Sequence, residues 1–250
     1  MNTWDAYAPF YDWENALTMG RRDVRFWQQR ATDADGPVLE LGCGTGRILM
    51  PIARSGVAVT GIDASSAMLA RARARARRLP ARRRPSLIQG DLRALPFQRR
   101  SFAIVIAAYG VLQSLTTDAD LDLALTEAAR VLPKGGAFGL DLVPDLTSWP
   151  VYERAVRLRG RMRGRSVTLV ESVRQDRRRG LTVFDETFVA QTPRGRRRHT
   201  FSLTFRTVPM DRMIARVEKA GFEIRAVEGN YRGGPWTRNA ETWMIRAVRR

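Results

Sequence analysis

The stretch Val38-Leu39-Glu40-Leu41-Gly42-Cys43-Gly44-Thr45-Gly46 constrains this chain most: a short apolar run stops at three glycines spaced two apart, and helical residues 47–54 follow. This is the signature of a buried strand, a tight loop and a helix. The pattern then repeats. Residues 57–62 read as a second buried strand ending at Asp63, and 65–78 as a helix of alternating Ala and Arg. Residues 86–89, 102–107 and 137–142 supply three further strands, with a helix over 121–132 closed by Pro133-Lys134-Gly135-Gly136. Upstream, 15–30 has a loosely helical apolar spacing that Asp35-Gly36 ends. Strands that are apolar throughout and alternate with helices pair in parallel with both sheet faces covered.

After Pro150 the rhythm changes. Residues 166–173, 181–190 and 200–207 read as antiparallel strands joined by hairpin turns at Arg177-Arg178-Arg179-Gly180 and Thr192-Pro193-Arg194-Gly195. A helix over 210–220 with Gly221 as its stop, then strands at 222–227 and 241–248, return the chain to the sheet. The expected fold is therefore α/β: a Rossmann-like, doubly wound, mixed seven-stranded sheet with an antiparallel β insertion after strand five. The expected divisions are an N-terminal helical segment at 1–36, a core at 37–150, the insertion at 151–207 and a C-terminal part at 208–250 that completes the sheet.

Composition narrows the function classes. No window holds eighteen uninterrupted apolar residues, and the first ten carry acidic and polar groups where a secretory signal would be basic and then apolar. One cysteine, Cys43, and one histidine, His199, rule out an internal disulfide and argue against a structural zinc or two-histidine metal site. The expectation is a cytoplasmic, metal-free chain with no membrane span. Its net charge of +18 is uneven: residues 1–150 carry 19 basic and 15 acidic groups, residues 151–250 carry 24 and 10. Such an excess raises the case for a polyanionic partner. All but two of the basic residues (Lys134 and Lys219) are arginine, however, a skew that a GC-rich coding sequence explains.

The glycine spacing carries the chemistry. Glycines in a strand-to-helix loop let backbone approach a ligand closely and leave amide donors at a helix N-terminus. A dinucleotide loop has its third glycine three residues after the second. Here it falls two after, with Glu40 two before the first glycine, and no phosphate-binding lysine follows. With Asp63 at the end of the second strand, residues 38–142 resemble the core of class I S-adenosylmethionine-dependent methyltransferases of the small-molecule type.

The resemblance implies an S-adenosyl-L-methionine cofactor held by Glu40, Gly42, Cys43, Gly44 and Gly46 of the loop. It implies that Asp63 accepts from both ribose hydroxyls, that Asp91 and the Leu92 amide meet the adenine, and that Ala64 and Met68 pack on it. Ala107 and Tyr109 then face the transferable methyl. The opening Trp4-Asp5-Ala6-Tyr7-Ala8-Pro9-Phe10-Tyr11-Asp12 is similar to the segment that closes over the cofactor in such enzymes, with Tyr7 toward the methionine carboxylate. The residues also have plainer uses: Asp63 as a helix N-cap, Asp91 as a turn cap, and Tyr7, Tyr11 and Tyr109 as core-edge fillers. His199, beside Arg196-Arg197-Arg198 and a turn, is expected to be exposed.

A sulfonium is already an activated methyl donor, so catalysis is largely alignment and exclusion of water. No catalytic base stands out; Tyr11, Tyr109 and His199 are the candidates. Ala107-Ala108-Tyr109-Gly110 lacks the Asn/Asp-Pro-Pro-aromatic tetrapeptide of methylases of exocyclic base amines, and Cys43 lies in the loop rather than where a cytosine C5 methylase keeps its nucleophile. The expected reaction is in-line methyl transfer to O or N of a small acceptor, neutral or anionic, with the β insertion as its cap. The alternatives are an RNA methyltransferase and a non-catalytic S-adenosylmethionine-binding protein. The arginine runs of the insertion, expected at opposite sheet ends, do not form one patch.

Overall fold

The computed structural model describes residues 3–18, 22–144, 149–193 and 195–250. The chain forms two compact units, Met1–Gly20 with Asp145–Thr207, and Arg21–Pro144 with Val208–Arg250. The expected turn at 192–195 includes Arg194, and the expected segments 1–36 and 37–150 include 1–2, 19–21 and 145–148; these positions lie outside the described residues.

The larger unit is the α/β sheet. Its elements are α2 (Val24–Thr32), β1 (Val38–Leu41), α3 (Leu49–Arg54), β2 (Val59–Asp63), α4 (Ser66–Ala76), β3 (Ser86–Gln89), β4 (Ile104–Ala107), α5 (Asp118–Val131) and β5 (Ala137–Leu142). After the other unit come α6 (Met210–Lys219), β10 (Phe222–Glu228) and β11 (Trp243–Arg249). The strand order is β10-β11-β5-β4-β1-β2-β3, with β1 to β5 parallel and β11 antiparallel to both its neighbours. All seven expected strands are present. β1 and β4 are buried at every position because helices cover both faces. One core layer centres on Leu125, Phe138 and Phe222, the other on Trp27, Leu49 and Ile106.

This order puts a topological switch point at β1, which pairs with β2 on one side and β4 on the other. In open α/β sheets ligands bind at the carboxyl ends of the strands at such a point. The glycine loop leaves β1 there.

The smaller unit is a four-stranded antiparallel sheet with a helix on one face. Its helix is α1 (Thr3–Thr18), and its strands are β6 (Tyr152–Met162), β7 (Arg165–Asp176), β8 (Leu181–Thr192) and β9 (Gly195–Arg206), in sequential order. Val167, Leu169 and Val173 on β7 and Phe184 and Phe188 on β8 alternate with more exposed residues, the period of a sheet wet on one side. Phe10 of α1 stacks on Phe188 at 4.3 Å, and Tyr7 and Trp13 meet the same ring at 6.1 and 6.0 Å.

Two expectations change. The insertion has four strands rather than three: β6 carries four arginines and one glutamate among its eleven residues, as an edge strand whose charges discourage pairing with other chains. The expected helix over 15–30 is two helices, α1 ending at Thr18 and α2 starting at Val24, and they fall in different units. Thus 1–36 is not one segment. No helix among the described residues is long and apolar enough to cross a membrane.

Candidate functional site

At the carboxyl end of β1 the chain turns through Gly42 (φ 60°), Gly44 (φ 52°) and Gly46 (φ 81°), all left-handed, a region that residues with a Cβ enter at a cost. Space demands glycine as well. A Cβ on Gly46 would lie 2.8 Å from Met50 Cε, and on Gly61 of β2 2.7 Å from Cys43 Sγ.

The loop's amides are not all free donors, contrary to expectation. Cys43 N donates to Ile62 O at 3.0 Å, Gly44 N to Asp63 Oδ2 at 2.8 Å and Gly46 N to Cys43 O at 2.8 Å. What the loop offers a ligand is close backbone approach. From α4, Arg75 Nη1 donates to Thr45 O and Oγ1, both at 3.1 Å, fastening the turn from outside.

Asp63 is central to this geometry. Oδ2 takes the Gly44 amide and Oδ1 takes the Ser65 amide at 2.8 Å. The N-cap of α4 is Ser65, whose Oγ accepts from Met68 N at 3.1 Å, so Asp63 positions the cap and is not itself one. Each carboxylate oxygen has two lone pairs and can accept a further donor.

Glu40 lies within β1, 4% exposed, and its Oε2 has no partner among the described residues. Burial raises its carboxyl to about 8; Arg47 and the Leu49 amide oppose the shift, and Asp23 and Asp63 add to it. The unfolded carboxyl loses its proton near its ordinary value of 4.5, whereas the folded one keeps it to about 8. Between those values the folded state binds more protons, so stability falls as pH rises. Denaturation midpoints are expected to decline over this window by an amount worth a few kcal/mol, roughly. Glu40→Gln should flatten the decline, and an unchanged slope in that variant would refute the assignment.

Beside Glu40 lies a set of residues that the linear pattern does not reveal. Arg47 Nη1 and Nη2 bond Asp23 Oδ1 and Oδ2 at 2.5 and 2.7 Å, and the Asp23 side chain is fully buried. The Arg47 guanidinium stands 5.0 Å from the centre of the Tyr109 ring. Tyr109 follows β4 with φ 57°, rare for an aromatic residue and a form of stored strain that clusters at functional sites. Its neighbour Gly110 donates to Asp141 O at 3.1 Å and Asp141 Oδ1 at 3.2 Å.

Asp141, near the end of β5, is 2% exposed. Its Oδ2 also accepts from Trp27 Nε1 at 3.0 Å and Tyr231 OH at 2.9 Å. Burial raises its carboxyl to about 6, Asp23 adds to the shift, and these hydrogen bonds oppose it. Trp27 fits there because Gly139 has no side chain; a Cβ would lie 2.6 Å from Trp27 Cζ3. The only sequence signal for this network is one strand carrying both Gly139 and an apolar-flanked Asp.

The other expected residues divide. Met68 and Ala107 are buried, Leu92 is at the buried limit and Ala64 is exposed. Asp91 serves as a turn cap: its Oδ1 accepts from Arg93 N at 2.9 Å, and Arg93 bridges it to Asp120. Hydrogen bonding by Arg93 holds its carboxyl below the usual range. Tyr7 belongs to the smaller unit, where its hydroxyl donates to Glu14 Oε2 at 2.8 Å and its ring meets Tyr11. His199 is not an exposed turn residue; it lies on β9 opposite Phe188, half-buried, with its ring 5.1 Å from Phe10. No group of three or more His, Cys, Asp or Glu among the described residues is arranged to hold a metal.

Residues 38–136 match the model of a methyltransferase domain family. A demethylmenaquinone methyltransferase of Renibacterium salmoninarum is 36% identical over 140 residues, 53% of either chain, so this chain spans about half the length of that relative. An S-adenosylmethionine-dependent methyltransferase from Clostridium acetobutylicum has the same fold, with a TM-score of 0.80 over 97% of this chain and 98% of that one at 16% identity. CalS10, an amino pentose methyltransferase from Micromonospora echinaspora solved with S-adenosylmethionine bound, is 25% identical with a TM-score of 0.67, covering 91% of this chain and 88% of its own.

Proposed function

We propose that this chain, whose residues 38–136 are a methyltransferase domain of class I fold, is an S-adenosylmethionine-dependent enzyme that methylates a small molecule. The observation that carries the reading is the buried Glu40 Oε2, without a hydrogen-bond partner among the described residues, in the strand that runs into the left-handed glycine loop. Burial keeps the Glu40 carboxyl protonated, and a cationic or donor partner would let it ionise; the cofactor would offer an ammonium and a sulfonium. The residues present fit the group.

When bound, S-adenosylmethionine supplies an activated methyl on sulfur. The chain's contribution is binding and alignment. Glu40 meets positive charge. Asp63, already oriented by Gly44 and Ser65, accepts from the ribose hydroxyls. Met68 and Ala64 pack on the adenine, with Leu92 donating its amide. Asp91 stays engaged with Arg93 and holds the turn. Tyr109, strained and backed by Arg47, would face the acceptor side beside Ala107 and help align O or N of an acceptor for in-line transfer.

The relatives' names leave carbon open as an acceptor atom, since quinone methyltransferases are among them. Labelled methyl transfer into pools of amines, alcohols and quinols, with the product identified, decides this. Arg177–Arg179 in the turn before β8 and Arg196–Arg198 at the start of β9 support the RNA reading, but the second run pairs with residues 189–191, on the order of 30 Å along β8 from its start at Leu181. Turnover on RNA would fall steeply with salt, whereas turnover on an uncharged small acceptor would not.

Asp63→Ala is expected to weaken S-adenosylmethionine binding by about 1–3 kcal/mol, the loss when charged hydrogen bonds go unmade. Calorimetry reads it directly. Wild-type protein that gives no heat and no thermal protection with the cofactor would overturn the proposal.

A further inference from the structure

The smaller unit buries more negative charge than its packing explains. On its inner face Glu171 of β7 stands directly opposite Glu186 of β8, 7% and 3% exposed. Like charges paired across strands destabilise a sheet. A third carboxyl arrives from α1, where Glu14 accepts from Tyr7 OH and shares a hydrogen bond with Glu186. Glu171 is compensated, since Tyr152 OH donates to it and Arg157 Nε lies 3.2 Å away, half exposed. Glu186 is not, because its Oε2 has no partner among the described residues. Among the described residues the charged groups that act on it are the acids Glu14 and Glu171.

The walls of this acidic site are aromatic. Phe201 is opposite Glu186 on β9, Phe188 is two residues on along the same face of β8, and Tyr7 meets both rings at about 6 Å. Carboxylates paired with π faces suit an organic cation: the acids bond its N–H groups and the rings attract its charge. A metal ion fits less well, because the residues are not arranged as ligands.

We propose that Glu14, Glu171 and Glu186 form a recognition site for an organic ammonium group. The site belongs to the smaller unit by itself and does not depend on the reading that the chain is a methyltransferase. Glu14 is half-buried, the most exposed of the three acids. Without the cation, the Glu14–Glu186 pair holds a proton between its oxygens. Burial, with the neighbouring acids, lifts the Glu186 carboxyl above its usual range, and burial lifts that of Glu14. An incoming ammonium displaces this proton, so affinity rises with pH. The groups acting on the pair are Tyr7 from α1, Tyr152 from β6 and Glu171 from β7; Arg157 of β6 pairs with Glu171, and His199 of β9 meets Phe10 two residues before Phe201.

The test needs no knowledge of the natural ligand. Cyclohexylammonium and cyclohexanol have the same ring and differ in charge. Titrated at pH 8 and followed by NMR, the wild-type protein should bind cyclohexylammonium about tenfold more tightly or better. Glu186→Gln should remove the preference while leaving S-adenosylmethionine binding unchanged. Glu171→Gln, which keeps the Glu14–Glu186 pair, should reduce it and serves as the second variant if the first does not fold. Equal affinity for the two probes, or a preference that survives in both variants, overturns the site. A preference for the ammonium that Glu186→Gln abolishes sustains the site whether or not any amine is methylated. Methyl transfer without the preference leaves the enzyme standing and removes the site.

Discussion

Asp141→Ala is expected to destabilise the protein by about 3–5 kcal/mol, the loss typical when one side of a buried charged network is removed. The Asp141 carboxylate accepts from Trp27 Nε1, Tyr231 OH and the Gly110 amide, and alanine would leave these donors buried without their side-chain acceptor. Guanidinium denaturation followed by tryptophan fluorescence reads the change as a shifted midpoint at constant slope. Asp141→Asn retains a carbonyl oxygen and should lose less. It should also remove a pH response. The folded carboxyl holds its proton to about 6 while the unfolded one loses it near 3.8, so wild-type stability falls as pH rises between those values. An alanine variant within about 1 kcal/mol of wild type would show that the network contributes little to stability.

Gly42→Ala should be nearly as disruptive and should act on the cofactor. Its φ of 60° costs a residue with a Cβ about 1–2 kcal/mol. The added methyl would also lie 2.1 Å from Val111 Cγ2 and 3.2 Å from Val111 Cβ. Valine is branched at Cβ and cannot swing away as a long side chain would. Relief must come from moving the loop or the 3-10 turn Val111–Ser114 that follows Tyr109 and Gly110. Both border the proposed cofactor and acceptor sites. Affinity for S-adenosylmethionine is expected to drop at least about tenfold, with about 2–4 kcal/mol lost from stability. Unaltered affinity by calorimetry would mean that the loop has slack and is not the cradle proposed here.

The reading of the sequence succeeded where information is local. Each buried strand of the large sheet is a run of neighbouring apolar residues, and the three glycines mark left-handed turns whatever the chain does elsewhere. It fell short where local patterns were ambiguous. β6 was missed because an edge strand rich in arginine lacks the alternation that marks β7 and β8. A single helix was read through the break between α1 and α2 because apolar spacing alone does not mark a change of partner. His199 looked exposed because three arginines precede it, yet strand pairing turns it to the face that α1 covers.

By itself, then, the sequence determined the parallel sheet, the glycine loop after β1 and the acid at the end of β2, because each is written in a few consecutive residues. Only the tertiary structure decided which acids are buried and what they meet. Trp27 and Tyr231 reach Asp141 across 114 and 90 residues of chain. Glu186 meets Glu171 through strand register and Glu14 through helix packing. Such charges acquire their character from desolvation and from neighbours that folding brings together, and neither has a counterpart in linear order.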